Sequence, residues 1–183
     1  VYRGGALASA GHNHVIASHA LAGTIYVPDD DVLRSSFEVH VPVAALTVDE
    51  PELRAQQRSP EFPPEVSQGA RDGTRRNMLS AAVLDAAEYP EVVLRAVRLE
   101  SAAAPQPGEV TAHLEAQVRE QRRPVSLPVV FQRSGDELTV SGETPLRQSD
   151  LGLTPFSALM GALAVQDEMR VRIQLVARAA APP

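Results

Sequence analysis

The chain has 183 residues, 44% of them hydrophobic and only 4% aromatic, with no Trp and no Cys. Its 17 basic and 23 acidic residues leave a formal net charge of −6 with no long run of either sign, which speaks against a nucleic-acid or anionic-membrane surface built from clustered Lys and Arg. The missing Cys excludes disulfides, thiolate metal sites and a cysteine nucleophile, and the length suits one domain with a sizeable core.

The chain opens at Val1-Tyr2-Arg3, without Met or a recognisable signal peptide; the expectation is that a leader or part of a first strand precedes it. No apolar run approaches the roughly 20 residues of a membrane helix. Residues 11–19, Gly-His-Asn-His-Val-Ile-Ala-Ser-His, hold three of the five histidines. Thr24–Val27 is a first strand-like run, and Asp29-Asp30-Asp31 after Pro28 reads as a solvated hairpin turn, since it lacks the spaced ligands and Gly of a calcium loop. Phe37, Val39 and Val41 then alternate with Ser36, Glu38 and His40, the period of a half-buried strand. Residues 49–68, with Pro51, Pro60, Pro63 and Pro64, read as a long surface loop.

From Gly73-Thr74 to Ala87, the stripe Met78, Leu79, Ala82, Val83 predicts a helix that ends before Tyr89-Pro90. Arg71, Arg75 and Arg76 form its solvated face. Val92–Leu99 is strand-like. Val110, Ala112, Leu114, Ala116 and Val118 share one face of the next strand, opposite Thr111, His113, Glu115 and Gln117. Val125, Leu127, Val129 and Phe131 continue the alternation, with Pro128 suggesting an edge or a bulge. Leu138 and Val140 follow the turn signal Ser134-Gly135-Asp136. Pro155 to Leu163, with Thr154 as cap, predicts a short helix, whose Phe156, Leu159, Met160 and Leu163 would cap a barrel mouth or pack beneath a loop. Met169, Val171, Ile173 and Leu175 give a last strand with one wet face, and residues 179–183 read as a frayed tail. Some seven or eight short strands with one or two helices imply a meandering antiparallel barrel or sandwich.

Several segments, in order, resemble the YceI-like family. Ala22-Gly23-Thr24-Ile25 is similar to that family's glycine entering its second strand. Ser80-Ala-Ala-Val-Leu-Asp-Ala-Ala-Glu-Tyr-Pro-Glu-Val-Val-Leu94 resembles its helix end, Tyr-Pro-Glu and strand. Arg122-Arg-Pro-Val-Ser-Leu127, Arg147-Gln-Ser-Asp-Leu-Gly152 and Val165-Gln-Asp-Glu-Met-Arg-Val-Arg-Ile173 resemble three further motifs. Departures are Leu151 in place of the usual Phe, the Pro-rich 49–68 segment, and the His-rich Gly11-His12-Asn13-His14. The resemblance implies a lipocalin-like antiparallel β-barrel over residues 1–178, holding a long apolar molecule, isoprenoid or fatty-acid-like, usually in the bacterial periplasm. Secretion or a cytoplasmic residence stays open.

The histidines admit several readings. His12 and His14, two apart on a strand, would share a face and supply two nitrogens to a metal, with His19 as a third candidate. No credible further ligand shares that face, so the expectation is no metal centre. A catalytic reading lacks a Gly-x-Ser-x-Gly elbow and paired carboxylates. The remaining readings are hydrogen bonds from the imidazoles to backbone of the glycine-rich turn, or a role in orienting a ligand headgroup.

The reading that follows is a non-enzymatic binding protein without a cofactor, whose partner is a lipid-like small molecule. Nucleic acid and an integral membrane segment are not expected; a homodimer is left open. Burying each CH₂ contributes about 0.8 kcal/mol, so a chain of about a dozen carbons binds without specific chemistry. The inner face should comprise Phe37, Val39, Val41, Val110, Leu114, Val129, Phe131, Val171 and Ile173, with Met160, His12 and His14 at its mouth. The alternative is a metal-binding protein or metal-dependent enzyme built on His12, His14 and His19.

Overall fold

Period-two alternation shapes most of the molecule. The computed structural model describes residues 1–28, 31–101 and 108–179. In chain order its strands and helices are β1 (Arg3–Gly4), β2 (Ile16–Ala17), β3 (Ala22–Tyr26), β4 (Ser36–Pro42), β5 (Thr47–Val48), α1 (Pro51–Ala55), α2 (Gln68–Leu79), β6 (Glu91–Ser101), β7 (Glu109–Val118), β8 (Gln121–Ser134), β9 (Glu137–Arg147), β10 (Ser157–Ala158), β11 (Leu163–Val165) and β12 (Glu168–Arg178). Seven strands form one antiparallel sheet in the order β12-β9-β8-β7-β6-β4-β3. The fold is mainly β with two helices, as the alternation and the resemblance predict, and the expected lipocalin-like barrel is a curled half-barrel.

The ladder defines two ends. At the mouth lie Tyr26, Ser101, Ser134 and Arg178, where β3, β6, β8 and β12 finish; at the base lie Pro42, Val118 and Arg147. The small sheets β1-β11-β10 and β2-β5, both helices and the turns of residues 80–90 gather toward the base. Among the described residues no ladder joins β3 to β12, so the curl stops at a seam between these edge strands.

Two irregularities bend the sheet. The β6–β7 register shifts between Ala96 and Arg98, the local extra twist of a β-bulge. Between β8 and β9 the register ends at Val130↔Ser141, although β8 runs on to Gln121 alongside β7. Pro128 explains that departure. Phe131 N–H donates to Gly108 O on the β7 side, so by alternation the backbone groups of residues 130, 128 and 124 face β9. Pro124 and Pro128 thus lack their N–H groups on the side where pairing has stopped, and no ladder bond is lost. The strand is interior at the mouth and an edge at the base.

The helical turn Ser149–Leu151 packs against β7, β8 and β9 and sends buried Leu151 into the core beside the place where β8 and β9 part. Asp167 holds this turn, accepting from Ser149 N–H at 2.8 Å and from its hydroxyl at 2.6 Å. These bonds draw the Asp167 carboxyl below its ordinary range, and Gly152 leaves the turn at φ +77°.

Three local expectations are corrected. The helix predicted from residue 73 to 87 is α2, Gln68–Leu79, with Ser67 accepting from Ala70 N–H at its start; Ser80–Ala87 forms turns. Ala82 and Val83 therefore lie beyond the helix, and its true extent is polar, stabilised by contacts such as Gln68 Nε2 to Asp72 Oδ1 at 2.7 Å. Pro155–Leu163 is no helix but the β10–β11 hairpin, because Leu159, Met160 and Gly161 take φ of +51°, +55° and +86°, a turn that helical backbone cannot form. Within the expected 49–68 loop lies α1, with Pro51 in its first turn and Arg54 buried. Of the Asp29-Asp30-Asp31 turn only Asp31 is among the described residues, where it caps the helical turn Val32–Arg34. Of the expected tail, residues 180–183 also lie outside them.

Candidate ligand-binding interior

Directly paired residues share a face of the sheet, so register shows which side chains meet. Phe37 pairs with Ile25 and Val39 with Leu94, which pairs with Ala116. Leu114 pairs with Val125, Val110 with Val129 and Phe131 with Val140. Val140 pairs with Leu175, Gly142 with Ile173 and Thr144 with Val171. All therefore project to the concave side, as does Val41, paired with Val92. Val39, Val110, Leu114, Val129 and Phe131 are buried; Phe37, Val41, Val171 and Ile173 are half-buried. One apolar cluster contains Val110, Leu114, Val129 and Phe131, with Phe37 and Ile173 packed against it.

A cavity of ≈ 290 Å³ opens at the mouth, on the seam between the two edge strands. Its apolar walls are Ile25 and Val27 from the end of β3, Val32 from the turn before β4, Phe131 and Leu138 from the β8–β9 hairpin, and Ala177 near the end of β12. Arg133, Asp136, Glu137 and Arg178 complete the lining with charge, and Arg178 Nε lies 3.5 Å from Glu137 Oε2. Ile25, Val32 and Leu138 pack onto the core cluster, so the cavity wall and the core are continuous. Of the expected site residues only Phe131 lines it. Ile25 and Leu138 were visible as strand residues and Ala177 lies just past the expected last strand, but nothing local indicates that they converge.

Met160 is not at the mouth. It stands at the tip of the β10–β11 hairpin, toward the base, with relative exposure of 107%. The histidines are elsewhere too. His12 is exposed, and its ring lies 6.0 Å from that of His14. His14, with its side chain 12% exposed, places Nδ1 2.7 Å from Asp49 Oδ2 and Nε2 3.1 Å from Thr74 Oγ1 on α2. Its partners are a carboxylate and a hydroxyl, not the backbone anticipated for the glycine-rich turn. Because a carboxylate only accepts, Nδ1–H donates to Asp49, and Nε2 shares the second hydrogen bond with the Thr74 hydroxyl.

Asp49 Oδ1 accepts from Val15 N–H at 2.8 Å and from Arg54 Nη1 at 2.7 Å. Burial pushes the Asp49 carboxyl up, but the hydrogen bonds from His14 and Val15 and the charges of His14 and Arg54 outweigh it, leaving it below its ordinary value. His14 is thus a tie between the N-terminal segment, α1 and α2. His19 faces a different carboxylate, Glu50, at 3.0 Å. Among the described residues no three His, Asp or Glu side chains are placed to hold one metal ion.

The convex side is polar as expected. His113 meets Glu100 at 2.9 Å and Ser126 at 2.9 Å. His40 lies between Glu91, 2.8 Å from Nδ1, and Glu38, 2.7 Å from Nε2, and Arg95 donates to Glu38 at 2.6 Å. Bonds to Glu91 and then Glu38 raise His40 above its ordinary value.

The YceI-like domain matches residues 8–177. The chain belongs to the YceI-like family. Among solved structures it is similar to BcnA of Burkholderia cenocepacia, at 14% identity over 88% of this chain and 86% of that one, with a TM-score of 0.62. It is likewise similar to the Campylobacter jejuni YCEI protein, at 11% identity over 91% and 85% of the two chains, TM-score 0.63. At these identities the likeness is one of fold. No curated protein matches the chain by sequence.

Proposed function

We propose that this YceI-like protein is a non-enzymatic carrier that removes a long apolar molecule, isoprenoid or fatty-acid-like, from water, and that it works in the periplasm or outside the cell. The observation that carries this reading is the apolar mouth cavity, whose walls run without a break into the core cluster. Its volume is close to the ~300 Å³ at which small-molecule sites begin, and it opens on the seam between the unjoined edge strands. Burial of methylene groups at about 0.8 kcal/mol each supplies the affinity, and the charged rim keeps the outer end of the ligand wet.

Mass spectrometry of whatever co-purifies, together with uptake of a fluorescent fatty-chain probe, tests the proposal. Ala177→Phe, which fills the cavity wall, should lower uptake while circular dichroism stays unchanged. Leu114→Phe, deeper in the same interior, should lower it too. Unaltered uptake in both, with no apolar molecule co-purifying, would overturn the reading.

A further inference from the structure

Three of the large hydrophobic side chains left in solvent sit beside the cavity rather than scattered over the surface. Tyr26 is 68% exposed, Leu33 42% and Val176 55%. Each is the immediate sequence neighbour of a cavity-wall residue: Tyr26 lies between Ile25 and Val27, Leu33 follows Val32, and Val176 precedes Ala177. On the two edge strands, alternation sends the neighbours to opposite faces, so Ile25 and Ala177 line the cavity while Tyr26 and Val176 stand on the outside of the same seam. These exposed apolar side chains, the collar, thus stand beside the cavity on both edges of the seam.

Among the described residues the charges around the collar are mixed in sign. Arg34, Arg133 and Arg178 stand against Asp31, Asp136 and Glu137. Such a ring repels neither half of a zwitterionic headgroup, and it gives no preference for an anionic surface. Its long arginine stems can lie along acyl chains while their heads stay wet. Three exposed side chains, Tyr26, Leu33 and Val176, make a patch that is small beside the roughly 800 Å² per partner that a stable protein interface buries. The collar is therefore too small for a lasting dimer and well suited to shallow, reversible insertion.

We propose that this mouth collar docks onto the surface of a zwitterionic lipid bilayer, so that the cargo passes between membrane and cavity without crossing water. The inference rests on the carrier reading above and adds the partner from which the cargo is taken.

The test is flotation of the ligand-free protein with phosphatidylcholine vesicles. The variant Tyr26→Ser/Leu33→Ser/Val176→Ser changes only outward positions and leaves the cavity wall intact. It should reduce vesicle binding about tenfold, since such binding scales with inserted apolar area, while uptake of the fatty-chain probe in vesicle-free solution is unchanged. Leu159→Ser/Met160→Ser removes equally exposed side chains near the base and should leave vesicle binding as it was. A wild-type protein that does not float, or a base variant that loses as much as the collar variant, overturns the proposal. A concentration-dependent dimer in sedimentation, lost in the collar variant, also overturns it in favour of a second copy as the occupant. Vesicle binding without any probe uptake supports the docking face and removes the carrier reading instead.

Discussion

Arg54 Nη1 stands 2.7 Å from Asp49 Oδ1, and both side chains are 1% exposed. Arg54 also donates to Asn13 O at 2.8 Å and Pro63 O at 2.5 Å, so one buried guanidinium ties α1 to the N-terminal segment and to the chain beyond it. Removing one member of such a pair leaves an uncompensated buried charge. Arg54→Met should cost about 3–5 kcal/mol of stability, read by urea denaturation, with a much smaller further loss when Asp49→Asn is added. Independent, additive losses would show that the two side chains do not act as a unit.

The same pair predicts an acid dependence. The Asp49 carboxyl is held below its ordinary value, so its contribution to stability is complete above the unfolded carboxylate range and is lost as pH falls through the folded value. The difference in unfolding free energy between wild type and Asp49→Asn should shrink steadily on acidification. A difference independent of pH would place the effect of Asp49 in packing instead.

His40 works in the opposite direction. Glu91 and Glu38 raise its pKa above 6.5, so its contribution is complete below the ordinary histidine value and disappears as pH rises through the folded one. Glu91→Gln should move the His40 titration, followed by NMR, back toward the ordinary value. An unchanged His40 titration would mean that Glu91 is not its principal partner.

Close backbone approach accounts for two strand glycines. A Cβ at Gly23 would meet Glu38 O at 2.2 Å, and one at Gly142 would meet Pro128 O at 2.4 Å, where β8 and β9 part. Gly23→Ala and Gly142→Ala should each cost about 1–3 kcal/mol through forced backbone shifts. Gly69→Ala, with nothing within 4 Å of the added atom and a helical position, should be neutral or slightly stabilising. Equal effects at all three would remove the steric explanation.

Met160 takes φ +55° while wholly exposed, so it pays for left-handed backbone without gaining burial. Met160→Gly should raise stability by up to about 1 kcal/mol, measured as a shift of the thermal midpoint. A lower midpoint would mean that the Met160 side chain has packing partners in solution.

The main strands were legible because their signal is local. In β7 every second residue from Val110 to Val118 is buried, and in β12 every second residue from Met169 to Ala177 is half-buried, so composition at period two reports the face directly. Tyr89-Pro90 marked the start of β6 for an equally local reason, since the residue before proline avoids helical geometry. The extent of α2 was hidden because no apolar stripe docks it; Thr74 bonds to His14, and Arg75 donates to Ala44 O and Leu46 O at 2.6 and 3.3 Å. The β10–β11 hairpin was hidden because its turn is made by Leu and Met in left-handed geometry, which their identities do not announce.

The sequence by itself determined which side of most long strands is apolar, the family, and therefore a curled antiparallel β architecture. Only the tertiary structure decided that β3 and β12 meet at an unpaired seam, that Ile25, Phe131, Leu138 and Ala177 line one cavity there, and that His14 serves Asp49 instead. Alternation along a strand is fixed by the two-residue repeat of the backbone and can be read one segment at a time. Which edges approach one another depends on twist summed over seven strands, on the bulge at Ala96/Arg98 and on the place where β8 leaves β9, and these are properties of pairing between residues far apart in the chain.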